Sequence, residues 1–136
     1  MNTDEIGESI KAEGVEYVHQ ELTKDILASS FRVHNALGCG LLEKVYTNAL
    51  VWDLQLNNRE VSAQQEFKVA YREKEIGSYF RDLVVDDNVI VEVKAVERID
   101  NIHRAQLLNY LRISVLRVGL LINFANPRLE YERLVV

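Results

Sequence analysis

Apolar residues recur along this chain first with a helical period and then with a strand period. Over residues 23–37, Ile26, Ser30, Val33 and Leu37 share one stripe, and Gly38 and Gly40 follow. That predicts a helix, with Thr23 as N-cap and Asp25 in its first turn. A second helix is predicted from residue 41 to about residue 56, with Leu42, Val45, Tyr46, Ala49, Leu50 and Leu56 as its apolar face. Alternation then takes over. Residues 61–71 predict a strand interrupted at Gln65, residues 72–75 a polar turn, and residues 76–85 and 89–96 two more strands. Residues 100–113 return to helix, with Asp100 as cap and Ile102, Leu107, Leu108 and Leu111 as core. Residues 116–124 form a buried strand, Pro127 marks a loop, and residues 129–136 form an edge strand.

Strands in series, then a helix and another strand, predict an α/β fold: a mixed central sheet flanked by helices. The helix over residues 100–113 serves as the crossover between two parallel strands. Residues 1–20 have only a loose helical pattern and contain Gly7 and Gly14. They are expected to be an acidic N-terminal extension, possible helix included, with residues 21–136 as the domain proper.

The strand over residues 89–96 contains V-I-V-E-V-K, apolar on both faces except for Glu92 and Lys94. Near-continuous apolar strands are covered on both sides, so two charges there need a reason. Glu92 and Lys94 are two residues apart and share a face. The turn D86-D87-N88 fits a three-residue loop, with Asn88 in the left-handed position and Val85 paired with Val89. That register sets Asp82 opposite Glu92, whereas a two-residue loop would send Asp82 to the other face. Two facing carboxylates repel, and a divalent cation such as Mg²⁺ would offset that. Lys94 could orient or deprotonate a water beside it. The competing explanation is an edge hairpin with a solvated stripe of charge.

Two helices offer further groups. Gln106 and Tyr110 stand at i and i+4 with His103 on the same side, fit to hydrogen-bond a phosphate or simply to face water. Gly40, Glu43 and Tyr46 open the second helix, where Glu43 is either a third metal ligand or a carboxylate favoured by the helix dipole. His34 is polar in a mostly apolar helix and suits a hydrogen-bonded structural role as well as a site.

With these residues in place, the chain resembles the GxxExxY protein family, a branch of the PD-(D/E)XK nuclease superfamily, over roughly residues 22–136. Gly40, Glu43 and Tyr46 carry the name-giving motif, Asp82 and E-x-K at Glu92 and Lys94 the metal motif, and Gln106 and Tyr110 the Q-x-x-x-Y. Arg81 stands where the superfamily's name has proline. The resemblance implies a restriction-endonuclease-like αβββαβ core and a nuclease using Mg²⁺, or Mn²⁺ in its place. Asp82, Glu92 and Glu43 would hold metal, and Lys94, Gln106 and Tyr110 would complete the catalytic set. His34, Tyr46, Arg81, Arg98, His103 and Arg104 are the candidate nucleic-acid contacts, with DNA expected rather than RNA. The alternative is a catalytically inactive nuclease-fold module that binds nucleic acid or a protein partner.

Charge and composition bound this reading. A chain that is 48% hydrophobic and 27% charged has the balance of an ordinary globular domain. The net charge of −5 is unusual for a nucleic-acid binder, but residues 1–30 hold seven acids and two lysines, so the remainder is neutral. No apolar run is long enough to span a bilayer, and the polar N-terminus does not resemble a signal peptide. The single cysteine, Cys39, fits a reducing cytoplasm. A homodimer built through the extension and the C-terminal edge strand is the remaining open option.

Overall fold

Leu22, Ile26, Ser29, Ser30 and Val33 recur at helical spacing and are all buried, and they extend the first helix back beyond its expected start. In the computed structural model, which describes residues 18–63, 66–80 and 83–136, α1 runs Gln20–Leu37. Thr23 is therefore inside the helix and buried, and His19 holds the cap position without a side-chain hydrogen bond. Burial of a stripe that starts at Leu22 outweighs the local capping preference of Thr23. Residues 1–17 of the extension lie outside the described residues.

The second helix, α2 (Glu43–Leu56), buries Tyr46, Leu50 and Leu54. Its buried face is rotated from the expected one: Leu42, Val45 and Leu56 are exposed, and Leu54 replaces them in the core. Arg32 of α1 reaches Asp53 of α2 at 2.8 Å and holds the two helices together. Burial raises the Asp53 carboxyl, but hydrogen bonds from Arg32 and Ser29 and the Arg32 charge prevail and hold it below its ordinary pKa.

Among the described residues seven strands follow: β1 (Val61–Ala63), β2 (Glu66–Tyr71), β3 (Lys74–Phe80), β4 (Leu83–Val85), β5 (Val89–Lys94), β6 (Val118–Asn123) and β7 (Glu130–Val135). Each of the two strands predicted over residues 61–71 and 76–85 is thus divided. Their inner parts, β1 and β4, pair within a five-stranded sheet ordered β1-β4-β5-β6-β7. Their outer parts, β2 and β3, form a separate ribbon that turns at Arg72 and Glu73, both left-handed. Val69 pairs with Gly77 and Ala70 with Glu75, so Ile76 is an unopposed extra residue in the ribbon. The ribbon packs on α3 (Asn101–Ser114).

β5 and β6 are parallel and joined through α3, as the crossover pattern predicts; the other pairs in the sheet are antiparallel. Helices α1 and α2 cover one face, against Leu83, Val85, Val89, Val91, Val93, Val118 and Leu120. Helix α3 covers the other, where Leu107 and Leu111 meet Val84, Ile90 and Leu121. β5 is covered on both sides, and alternation puts Ile90, Glu92 and Lys94 toward the α3 layer. Gly119 lets α3 come close: a Cβ there would lie 2.9–3.0 Å from the Leu107 side chain.

The β4–β5 hairpin adopts the expected register, with Val85 opposite Val89 and Leu83 opposite Val91. Its left-handed residues are Asp86 and Asp87, not Asn88. Asp86 is fixed from outside the hairpin. Its carboxylate accepts hydrogen bonds from Glu60 N at 2.8 Å and Arg59 Nη1 at 2.9 Å. Arg59 also pairs with Asp25 of α1, so one guanidinium joins the turn, the β1 approach and the first helix. Those two carboxylates raise the Arg59 pKa, chiefly through the hydrogen bonds. This cross-brace sits at the end of the sheet opposite Lys94.

Candidate active site

Glu92 is buried, 3% exposed, in a strand whose neighbours are Val91 and Val93. An isolated carboxylate in apolar surroundings is costly unless compensated. Lys94, half-buried two residues on, brings Nζ to 3.8 Å from Glu92 Oε1. The pair lies near the carboxyl end of β5, where parallel strands of α/β sheets place their chemistry.

Helix α3 overhangs the same face. Asp100 caps it by accepting from Ile102 N and His103 N, and His103 Nδ1 accepts in return from Asp100 N at 3.2 Å, a reciprocal box. His103 is thus engaged in starting the helix. Ile102, expected in the core, is exposed. Tyr110 is half-buried against the Val84–Ile90–Leu121 cluster, and Gln106 is exposed one turn earlier. A crossover helix runs back along the strand it follows. Gln106 thus lies nearer than Tyr110 to the capped start of α3.

Glu43 is the exposed first residue of α2, on the other layer but at the same sheet end. Tyr46 accounts for its placement. The Tyr46 ring stacks on Phe124 with centroids 4.7 Å apart and planes at 13°. Its hydroxyl donates to Gly38 O at 2.6 Å and accepts from Leu41 N at 3.1 Å. Phe124 N in turn donates to Lys94 O at 2.9 Å. Tyr46 is 0% exposed, so the nucleic-acid contact expected of it gives way to holding the Gly38–Leu41 loop against the sheet. Gly40 takes φ 99° in that loop, a backbone that L side chains rarely adopt.

Other expected contacts are also engaged. His34 is buried, its Nε2 donates to Asn126 O at 2.9 Å, and its ring tilts against Phe124. That is the structural role, not a surface contact. Arg104 is bidentate to Glu132 at 2.6 and 2.7 Å and also reaches Asn101. Hydrogen bonding to Glu132 raises the Arg104 pKa, and the same bonds hold Glu132 below its ordinary value against the opposing effect of burial. Arg98 is exposed and lines with Arg104 a cleft of about 420 Å³ beside Glu130 and Glu132. Arg81 and Asp82 lie outside the described residues. Among the described residues, no group of three His, Cys, Asp or Glu side chains could hold a metal ion.

The sequence profile of the PD-(D/E)XK nuclease superfamily matches residues 20–134, nearly the whole described chain. The chain belongs to the PD-(D/E)XK nuclease superfamily. A solved structure described as "Crystal structure of SSO0001" shares its fold at a TM-score of 0.51 and 16% identity, over 93% of this chain and 70% of that one. No curated protein matches the chain. Membership accounts for the order of the PD-(D/E)XK core: α1 and α2, the antiparallel strands, β5, α3 and β6.

One polar side chain at the site escaped the sequence pattern. Asn123 ends β6 opposite Lys94 and is fully buried. The signal was present: V-G-L-L-I-N-F closes an apolar run with an amide, where a buried strand offers no water.

Proposed function

We propose that this chain is a metal-dependent nuclease that hydrolyses phosphodiester bonds in nucleic acid, DNA rather than RNA, and that it represents the GxxExxY branch of its superfamily. The observation that carries this reading is the buried Glu92 with Lys94 beside it, at the E-x-K positions of a PD-(D/E)XK chain. Nucleases of this superfamily generally use divalent metals. The donor chemistry fits a hard cation: Glu92 supplies carboxylate oxygen, and Mg²⁺ prefers oxygen ligands, with Mn²⁺ able to substitute. We assign Asp82 as the partner carboxylate. The pairing of Leu83 with Val91 supports it, because that register continued by one position leads to Glu92. Glu43 completes the set from α2, directly or through water.

When bound, the metal would polarise the phosphate and acidify a water. Glu92 anchors the site in a rigid, doubly covered strand. Lys94 Nζ orients the attacking water and offsets the negative charge that develops on the phosphoryl and leaving oxygens as the water oxygen bonds to phosphorus and the P–O bond to the leaving oxygen breaks. Gln106 and Tyr110 offer an amide and a phenol above the same face, to hold a phosphate oxygen or Lys94. Arg98, exposed beside the site end, is the contact we retain for the backbone phosphates. No helix among the described residues is long and apolar enough to cross a membrane, and the use of a single cysteine, Cys39, fits a reducing cytoplasm.

The test is cleavage of single- and double-stranded DNA and RNA with Mg²⁺, Mn²⁺ or chelator. Wild type is expected to cut only with metal, and Glu92→Gln and Lys94→Ala are each expected to lose about 100-fold or more. Cleavage that survives both substitutions belongs to another site or a contaminant. Nucleic-acid binding without cleavage under every metal condition would assign the chain to inactive binding modules.

A further inference from the structure

We propose that Asn123 is a positioning residue for Lys94, an amide brace that fixes the end of β5 on which Lys94 stands. The proposal deepens the nuclease reading, because it rests on Lys94 as the group that orients water.

β5 ends at Lys94 and β6 at Asn123, its parallel partner. Beyond that point the ladder has no further rung, and a chain leaving a sheet normally gains freedom. Here the Asn123 side chain takes over as a partner. Its Oδ1 accepts from Val96 N at 3.0 Å, and its Nδ2 donates to Val96 O at 2.8 Å. Both backbone groups of Val96 are thus paired by one side-chain amide, as a neighbouring strand would pair them. The remaining valences are also used: Oδ1 accepts from Ala125 N at 3.2 Å, and Nδ2 donates to Glu130 Oε1 at 3.0 Å. An asparagine amide has two acceptor and two donor positions, and all four are filled. The orientation of the amide follows from its neighbours, since both Oδ1 partners are N–H groups and both Nδ2 partners are oxygens.

Lys94 lies between two fixed points. Its own carbonyl accepts from Phe124 N at 2.9 Å, and two residues later Val96 is clamped. A second amide extends the brace, as Asn126 Nδ2 donates to Glu97 O at 3.0 Å. The backbone around Lys94 therefore has little room to shift, and Nζ is delivered beside Glu92 from a fixed Cα. Catalytic groups need such support, because misplacement by about 1 Å costs about 100-fold in rate.

Asn123→Asp keeps the shape and reverses the Nδ2 polarity, setting a carboxylate oxygen against Val96 O and Glu130. With kcat and KM from metal-dependent cleavage, kcat is expected to fall about tenfold or more, while KM and metal affinity by calorimetry change less than about twofold. A second reading needs no cleavage. Lysines carrying ¹³C-methyl groups are followed by NMR, with the Lys94 signal identified through Lys94→Arg. Asn123→Asp should shift the Lys94 signal and leave those of Lys44 and Lys68 in place. If Asn123→Asp does not fold, Glu130→Ala removes one of the four bonds from an edge strand, and about a two- to fivefold fall in kcat with a smaller shift of the Lys94 signal is expected. An unmoved Lys94 signal, or a loss confined to KM or to thermal stability, overturns the brace. If wild type cuts nothing, the nuclease reading fails, and the Lys94 signal alone still decides whether Asn123 positions that residue.

Discussion

Gly119→Ala tests how α3 is held over the candidate site. The added Cβ would lie 2.9 Å from Leu107 Cδ1 and Cδ2 and 3.0 Å from Cγ. Carbon atoms prefer separations of about 3.5–4.0 Å, so three atoms would overlap by roughly half an ångström. Leu107 is fully buried among Val84, Ile90, Leu111 and Leu121 and cannot swing into solvent. Overpacking of this kind costs about 1–3 kcal/mol. The loss of glycine freedom in the unfolded chain returns about 0.4–1 kcal/mol, so a net cost of about 1–2 kcal/mol is expected. For a chain of this length that is about 3–8 °C in Tm. Urea unfolding should show a lower midpoint with an unchanged slope. The decisive measurement is a double-mutant cycle with Leu107→Ala. Leu107→Ala alone costs about 2–5 kcal/mol through the cavity it leaves. In that background the alanine methyl at 119 meets open space, and Gly119→Ala should become neutral or stabilising, a coupling of about 1–3 kcal/mol. If Gly119→Ala is neutral in wild type, or costs the same in both backgrounds, the Gly119–Leu107 contact does not set the spacing of α3.

Three further outcomes follow from named contacts. Tyr46→Phe keeps the stack on Phe124 and loses the bonds to Gly38 and Leu41; it should cost about 1–2 kcal/mol by denaturant unfolding and raise proteolytic cutting in the Gly38–Leu41 loop. Asp86→Ala leaves Glu60 N and Arg59 without this partner and puts a Cβ-bearing residue lacking local hydrogen bonds at φ 52°; a loss of about 1–3 kcal/mol is expected, and Asp86→Asn should lose less. Glu132 has its pKa lowered from 4.5 by Arg104. Its contribution is therefore complete above the ordinary glutamate value and fades as pH falls through the lowered one. Thermal melts of wild type and Glu132→Gln should differ by a constant amount from pH 7 to about 5 and converge below about 4.5.

Much of the fold was legible because local signals agreed with one another. The Asp100 cap, the V-I-V-E-V-K strand and the crossover helix all appear where the pattern put them. The hairpin register was legible too, since a three-residue loop fixes which side chains share a face. The left-handed residue was not. Asn88 is the better intrinsic choice, but Asp86 is fixed by Arg59 and Glu60, long-range partners that no turn rule contains. The division of the first two strands was hidden for a similar reason. The same alternating text serves a strand in the sheet and a strand in an exposed ribbon, and only pairing tells them apart. In α2, apolar residues lie on more than one side, so Leu42, Val45 and Leu56 competed with Leu50 and Leu54 for the core. The helix settled on the side where Tyr46 reaches Phe124. At the site, Glu92 and Lys94 stood out as charges in a buried strand. Asn123 did not, because its partners are mostly backbone groups.

The G-x-x-E-x-x-Y pattern divides its labour between geometry and chemistry. Of the three, Tyr46 is buried, while Gly40 and Glu43 are exposed and Glu43 alone brings a charge. Gly40 supplies a backbone conformation at φ 99°, and Tyr46 closes the loop by bonding Gly38 and Leu41 while its ring rests on Phe124. Phe124 is the residue after Asn123, and its N–H holds Lys94 O. The tyrosine thus joins the start of α2 to the end of β5 through a stack and a single backbone bond. A glutamate tied to that loop moves with the strand end that carries Lys94, although its helix belongs to the opposite layer. On this reasoning Tyr46 cannot be replaced by an aliphatic residue of similar bulk, since Leu would fill the space but release the loop. Phe should preserve the register of α2 and release only the hydroxyl bonds. Phe124→Leu removes the other half of the stack and should weaken both Tyr46 and the hold on Lys94. Its stability cost should therefore be less than additive with Tyr46→Leu, by about 0.5–1.5 kcal/mol, the usual worth of an aromatic pair beyond its area. Strict additivity would mean that the two ends of the site are fixed independently, and the motif would then need a different explanation.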